Sequence, residues 1–560
     1  MTAVATRTGA AALGPGPAPA RRAAGVRPPA QPFAGLGPAL RLVVRRNRVR
    51  LVVWVYVVVG LFAYVGAYYR SIFDTQAALD DFARVSDTPA IKALTGLAAA
   101  PATLGGAVWT KIWMTCALCL MFGVVFLVTR SGRADEELGR TELLRAHQLG
   151  IHACSTASWL ASAALCLVCG GGVAVASILL GLDPTGTGIT GSLVIGASIA
   201  GVGAVALGVA AVANQVATTS RGANLIGSAP VGAFYVLRMV GDLGDGRLTW
   251  VSPIGWGQEM QPWGADRWWV LALLLGLTVV LHLVALRLEG RRDLGAGLVA
   301  DRPGPARAPE RWTRPLGLSL RLQRGPIVGW SATVLLAAVL FGSVVDAMTD
   351  LLDDASTTMT DVIGGTGVDD LVALLVELIA LVVSVFAVQT ALTLRTDEAA
   401  GTAEVQLAGA VPRARWALDR LAIPAVGSAL LLGAGGALLG WSYGASTGSG
   451  GHVGSLALAA LAYWPAVMVL VGVAVVLFGW APHAAVATTW ALVGATWVVV
   501  VVGPALRLPT WLTDALPFAA TPAQPAEAFT WAPVLVLAVV AGVLVWLGVD
   551  RFRRRDVHPA

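Results

Sequence analysis

The chain is 560 residues long, with 56% hydrophobic and only 13% charged residues, against roughly a quarter charged in an ordinary soluble domain. That share of apolar side chain exceeds what a water-soluble core can bury, and it excludes a soluble enzyme. The formal charge of +6 does not point to nucleic acid, because the cations flank long apolar blocks, where they face anionic lipid.

In chain order, residues 1–35 are rich in Ala, Pro, Gly and Arg and contain no apolar block that could serve as a signal peptide. A disordered tail is expected there. Residues 36–50, LGPALRLVVRRNRVR, mix apolar positions with Arg41, Arg45, Arg46, Arg48 and Arg50. That pattern suits an interfacial elbow helix and equally a basic flank of the first membrane span.

Blocks near twenty apolar residues then follow, each long enough at about 1.5 Å per residue to cross a hydrocarbon core of about 30 Å. Residues 51–293 hold six: Leu51 to Tyr69, Ile112 to Val128, Ser158 to Leu182, Ile189 to Ala213, Ala223 to Val240 and Trp269 to Leu286. The block from Ala223 is the weakest, being short and broken by Pro230. Residues 294–324 are a polar stretch with Pro, Gly and Arg, whose last part, LGLSLRLQR, resembles the LRLVVRRNR before the first span. Residues 325–560 hold six more blocks: Val328 to Val345, Leu371 to Leu392, Ala422 to Tyr443, Leu456 to Phe478, Ala484 to Val502 and Trp531 to Leu547. The expected fold is an all-α integral membrane protein of about twelve transmembrane helices.

Charge placement tests that count, since Lys and Arg stay cytoplasmic. With the N-terminus inside, 31 of the 39 basic residues fall inside and 8 outside. Acidic residues run the other way, 14 inside and 18 outside, with Glu377 within a span. Both termini are therefore expected in the cytoplasm. Only Lys92 and Lys111 are lysines, an arginine bias that suggests a GC-rich bacterial genome and hence a bacterial plasma membrane.

Cys116/Cys119 and Cys166/Cys169 form two C-x-x-C pairs. Both lie inside expected spans, where small cysteines are packing material, so no metal site is assigned to them. The outer acidic stretch with Asp346, Asp350, Asp353, Asp354, Asp361, Asp369 and Asp370 lacks metal-site spacing. His282 lies alone in the sixth span and reads as packed.

A repeated motif follows the second span of each half. Arg133-x-Asp135-Glu136-x-x-Gly139-x-x-Glu142 reappears as Arg395-x-Asp397-Glu398-x-x-Gly401-x-x-Glu404, an offset of 262 that also relates Trp269 to Trp531. Arg291-Arg292-Asp293 and Arg554-Arg555-Asp556, after the last span of each half, match one residue out of register. Duplication explains these matches: two parallel six-helix repeats related by a pseudo-twofold axis along the membrane normal, with a pathway between them. Each acidic segment suits a short amphipathic helix at the membrane surface, its Asp and Glu in the first turn favoured by the helix dipole.

These segments resemble the permeases of ATP-binding cassette exporters of the second type, in which an elbow helix, two spans and an E-x-x-G-x-x-E coupling helix come in that order. The duplicated form is similar to the polyketide-antibiotic exporter permeases, with Trp250-Val251-Ser252-Pro253-Ile254-Gly255-Trp256 and the Arg-Arg-Asp exits as further family signals. The first copy has His147-Gln148-Leu149-Gly150 where the family often has a proline. The resemblance implies two copies of a separate ATPase subunit docked on Arg133, Asp135, Glu136, Gly139 and Glu142 and on Arg395, Asp397, Glu398, Gly401 and Glu404. ATP and Mg would be bound by that partner and no cofactor by this chain. A P-loop needs Gly-Lys, and the two lysines follow Ile91 and Thr110.

Glu377 is the one acid within an expected span, and such groups normally face a cavity or a partner. Its repeat position is Thr115, with Lys111 one turn away. One reading places Glu377, Lys111 and Thr115 in a substrate path; the other has Glu377 snorkel or bond within its own bundle. The tryptophans from Trp250 to Trp269, with Pro253 and Trp256 among them, fit either an extracellular cap made by a short helical hairpin or an aromatic belt. The matching stretch from Trp511 to Trp531 repeats the character without the motif. The expected function is export of lipophilic or amphipathic compounds. The alternatives are a proton-coupled multidrug antiporter using Glu377, and a lipid- or glycan-processing membrane enzyme built on the outer acidic stretch.

Overall fold

The computed structural model describes residues 31–556 apart from 88, 147–148, 184–188, 300–306, 308, 313, 354–367, 449–450 and 507–515. Most of the expected tail, His147, Gln148, Asp354, Asp361 and Trp511 lie outside the described residues. Twelve helices are long and apolar enough to cross a membrane, and no strand occurs among the described residues. The protein is a multi-pass all-α membrane protein. It divides into two compact units, Met1–Pro303 and Gly304–Ala560, within the polar stretch 294–324.

In the first unit the opening helix runs from Leu36 to Ile72 without a stop, through a wider π turn at Tyr56–Gly60. Between Pro38 and Gly60 there is neither Pro nor Gly to end it, so residues 36–50 continue into the span instead of forming a separate element. One face, Ala39, Val43 and Asn47, is buried; Ala39 and Val43 pack on Ala157 and Ala161 of the third span. Leu42, Val44, Val49, Val52 and Val53 stay exposed, as a lipid-facing helix requires.

The second span begins at Leu104, well before Ile112, because the Thr103 hydroxyl accepts from the Gly106 amide at 3.0 Å and caps the helix. After a π turn at Trp109–Trp113 it continues as Met114–Ser131. The third and fourth spans are Ala153–Leu179 and Thr190–Val216. They meet at Gly170 and Gly196, where a methyl group on either would lie 2.4 Å from the other's carbonyl oxygen. The fifth span, Ser220–Leu243, is capped by Thr219 and carries Pro230 internally. The sixth is Trp269–Glu289. His282 donates from Nδ1 to the Thr278 carbonyl at 2.8 Å and packs edge-on against Trp159. Cys116, Cys166 and Cys169 are buried among the core side chains.

The second unit has spans at Pro315–Asp353, Val368–Ala391, Arg413–Thr447, Pro482–Leu506 and Trp531–Arg554. Its fourth span, expected unbroken from Leu456 to Phe478, consists of His452–Ala462 and Trp464–Trp480. The interruption falls at Tyr463, just before Pro465, which has no amide hydrogen to donate back along the helix. Each unit buries its second and fourth spans most deeply and leaves its first, fifth and sixth largely uncovered.

Candidate functional site

The repeated acidic segment forms two short helices in each unit where one was expected. They are Arg133–Glu137 with Arg140–Arg145, and Thr393–Ala399 with Thr402–Leu407. Gly139 and Gly401 sit at the joints with φ of 70° and 71°. A side chain there would meet no neighbour; what glycine supplies is the left-handed backbone, which costs other residues about 1–2 kcal/mol. Asp135 and Glu136 do occupy a first helical turn. In the second copy the helix already starts at Thr393, which leaves Asp397 and Glu398 beyond its first turn, so the helix dipole does not account for them.

For the two glutamates a shared ion-pair clamp does. Arg133, 1% exposed, donates from Nη1 to Glu136 at 2.8 Å and also to the carbonyls of Thr218, Gly295 and Ala296. Glu136 accepts two further bonds from Arg292 at 2.7 and 2.8 Å, and Arg292 is oriented by Gln215 at 2.6 Å. The second unit repeats this arrangement: Arg395 pairs with Glu398 at 3.4 Å, and Arg555 bonds both oxygens of the same carboxylate. The Arg-Arg-Asp exits thus lock the end of each sixth span to the acidic segment of its own unit. Both motifs are visible in the sequence, but their contact is not.

The neighbouring aspartates are held differently. Asp135 pairs with Arg46 of the first helix and with Arg140 at 3.2 Å. Asp397 takes Arg420 of the third span of its unit at 3.0 and 2.8 Å, and Arg420 also reaches Gln406 and lies over the Trp416 ring. Glu142 and Glu404 face solvent, each followed by an exposed apolar residue, Leu143 and Val405. No ion pair involves either glutamate among the described residues.

The second span of each unit is mostly buried but leaves one stripe accessible. In the first unit the stripe carries Lys111, Thr115, Phe122 and Phe126, four or seven residues apart and so on one helix face. In the second it carries Leu374, Glu377, Leu378, Val385 and Gln389. Trp330 donates to Gln389 at 2.7 Å, while no cation of its own unit pairs with Glu377 among the described residues. Each stripe therefore holds one charged and one uncharged polar residue among apolar ones.

The tryptophan-rich segment is a single short helix, Pro253–Glu259, after a 3-10 turn at Thr249–Val251. Ser252 caps it and Pro253 starts it. Trp256 donates to the Trp250 carbonyl at 2.7 Å, and Trp250 stacks on Trp269. Pro253, Ile254 and Gln258 are buried, and Gly257 lies against Val202 and Trp113, so the segment packs into the core of its unit like a plug. Beneath it is a buried network that no motif announced. Asp242 accepts from Arg238 at 3.1 Å, Thr249 at 2.8 Å and Gln258 at 3.2 Å, while Arg238 also reaches the carbonyls of Lys92 and Leu94. At the edge of the plug, burial raises the Glu259 carboxyl above its ordinary value against the pull of Arg267, 2.9 Å away.

Residues 313–553 match the family model described as the C-terminal domain of multidrug efflux system permease Rv1217c. Over 535 residues the chain is 36% identical to the multidrug efflux system permease protein Rv1217c of Mycobacterium tuberculosis (strain ATCC 25618 / H37Rv), an alignment covering 94% of this chain and 96% of that one. Twelve membrane-capable helices and 36% identity over nearly the whole of both chains lead to one assignment: the chain belongs to the Rv1217c family of multidrug efflux system permeases.

Proposed function

We propose that this chain is the membrane-spanning permease subunit of an ATP-driven exporter of lipophilic or amphipathic compounds, in a bacterial plasma membrane with both termini cytoplasmic. The observation that carries this reading is the pair of acidic segments, each clamped to its own sixth span and each presenting a glutamate next to an apolar residue: Glu142-Leu143 and Glu404-Val405. A rigid base with an exposed charged and apolar tip is what a docking handle needs. Two copies of an ATP-binding cassette ATPase subunit, holding ATP and Mg, would supply the energy, and this chain would position and switch the path. The relative's name, a permease of a multidrug efflux system, supports the export of varied compounds.

Charge reversal at the two tips, Glu142→Lys with Glu404→Lys, is expected to cut co-purification of the ATPase subunit by about tenfold or more while the permease still inserts and folds. Retention of the whole complex with undiminished substrate-stimulated ATPase activity would sink the docking assignment.

The accessible stripes support a path along the second spans, with Lys111 and Thr115 on one and Glu377 on the other. Glu377→Gln is expected to lower efflux of cationic substrates about fivefold, the loss of one favourable charge interaction, and to spare neutral ones. Wild-type efflux of every substrate would remove Glu377 from the path. Loss of all efflux, together with its pH dependence, would favour the proton-coupled antiporter.

A further inference from the structure

At the basic end of the first unit, a cavity of about 220 Å³ lies between the first helix, the end of the second span and the acidic segment. Pro38, Ala39, Leu42, Leu144 and Leu149 make an apolar wall, and Arg46 and Asp135 a polar one. Leu42 is 44% exposed, so the cavity reaches the outer surface of the unit, beside the uncovered Val44 and Val49 of the same helix. Arg46, Arg50 and Arg140 all lie within electrostatic range of Arg130, and Asp135 is the acid in that group. Arg46, which lines the cavity, and Arg140 both pair with Asp135, and Arg50, Arg130 and Arg140 are exposed.

We infer that this is a binding site for an anionic phospholipid, its phosphate among Arg46, Arg50, Arg130 and Arg140 and part of one acyl chain against the apolar wall. The inference rests on the chain's spanning a membrane and is independent of what drives transport. A phosphate offers only acceptors and matches the guanidinium fork. A zwitterionic headgroup would leave the excess positive charge uncompensated, and a free anion would leave the apolar wall wet. The chain's own first thirty residues do not fit, since they bring Arg7, Arg21, Arg22 and Arg27 and no acid. The site also has a consequence. Arg46 already bonds Asp135, so the phosphate competes with that carboxylate, and an occupied site loosens the acidic segment from the first helix. In the second unit Asp397 is held by Arg420, and Leu322 stands at the position of Arg46, because Gln323 bonds Thr393 as Asn47 bonds Ser131.

The full-length protein, delipidated and then exposed to phosphatidylglycerol or phosphatidylcholine with matched acyl chains, is measured for retained lipid by native mass spectrometry. Phosphatidylglycerol is expected to be retained in preference. Arg46→Gln with Arg130→Gln is expected to weaken it about twenty-fivefold, about fivefold for each cation removed. Asp135→Asn, which removes the competing carboxylate, is expected to strengthen it. Leu144→Trp fills the cavity with all charges intact and is expected to weaken it too. Glycerol phosphate at equal concentration is expected not to displace the lipid. Equal retention of phosphatidylcholine, unchanged binding in the double variant, or full displacement by glycerol phosphate would each overturn the site, the last by reducing it to an anion site. If the double variant does not fold, Leu144→Trp, Asp135→Asn and the comparison of the two lipids on the wild type still decide.

Discussion

Glu136→Ala is expected to destabilise the first unit by about 3–5 kcal/mol, the cost of removing one partner from a buried ion pair. Arg133, Glu136 and Arg292 have side-chain exposures of 1%, 8% and 5%, so deleting the carboxylate leaves two guanidinium groups facing each other without their counter-charge. The remaining carbonyl acceptors of Thr218, Gly295 and Ala296 satisfy hydrogen bonds but not charge. Glu398→Ala should act likewise in the second unit, where Arg395 and Arg555 converge on that residue. The exposed Glu142 is the control: Glu142→Ala should stay within about 0.5 kcal/mol. Thermal unfolding in detergent measures all three. If Glu136→Ala melts with the wild type, the clamp is not a structural element.

The second large effect is expected at the plug. Asp242→Ala leaves Arg238, fully buried, with two carbonyls and the Tyr235 ring but no counter-charge, and also removes the acceptor for Thr249 and Gln258. A loss of about 3–5 kcal/mol is expected, felt first in residues 249–260, which Asp242 ties to the fifth span. Hydrogen exchange should show those amides opening faster while the third and fourth spans keep their protection. Arg238→Met combined with Asp242→Leu should cost less than Asp242→Ala alone, because no unpaired charge is left. If the double replacement proves the more damaging, shape at this site outweighs charge.

Much of the fold was legible because apolar block length is a direct physical requirement for crossing a bilayer. The places where reading and structure part are local. Thr103 extends the second span by a capping bond outside the apolar block, and Pro465 interrupts a block that hydropathy alone reads as continuous. The candidate site was legible only in pieces. Repetition exposed Glu136, Glu398, Arg292 and Arg555, but nothing in a one-dimensional pattern states that residues 156 or 157 positions apart touch. Arg46 was one of five arginines in a basic flank, and only packing singles it out for Asp135. Arg238 and Asp242 did carry a signal: opposite charges four apart, near the end of the least apolar span, share a helix face.

The unequal anchoring of Asp135 and Asp397 bears on how a force would travel. Each acidic segment is bolted to its own sixth span through a glutamate, but its aspartate leads to a different shaft: the opening helix in one unit, through Arg46, and the third span in the other, through Arg420. Equal strokes delivered to the two segments would thus be geared to different helices. If the segments are the docking handles proposed above, the two would act as unlike levers, and a defect at Arg46 and one at Arg420 should stall different parts of the cycle.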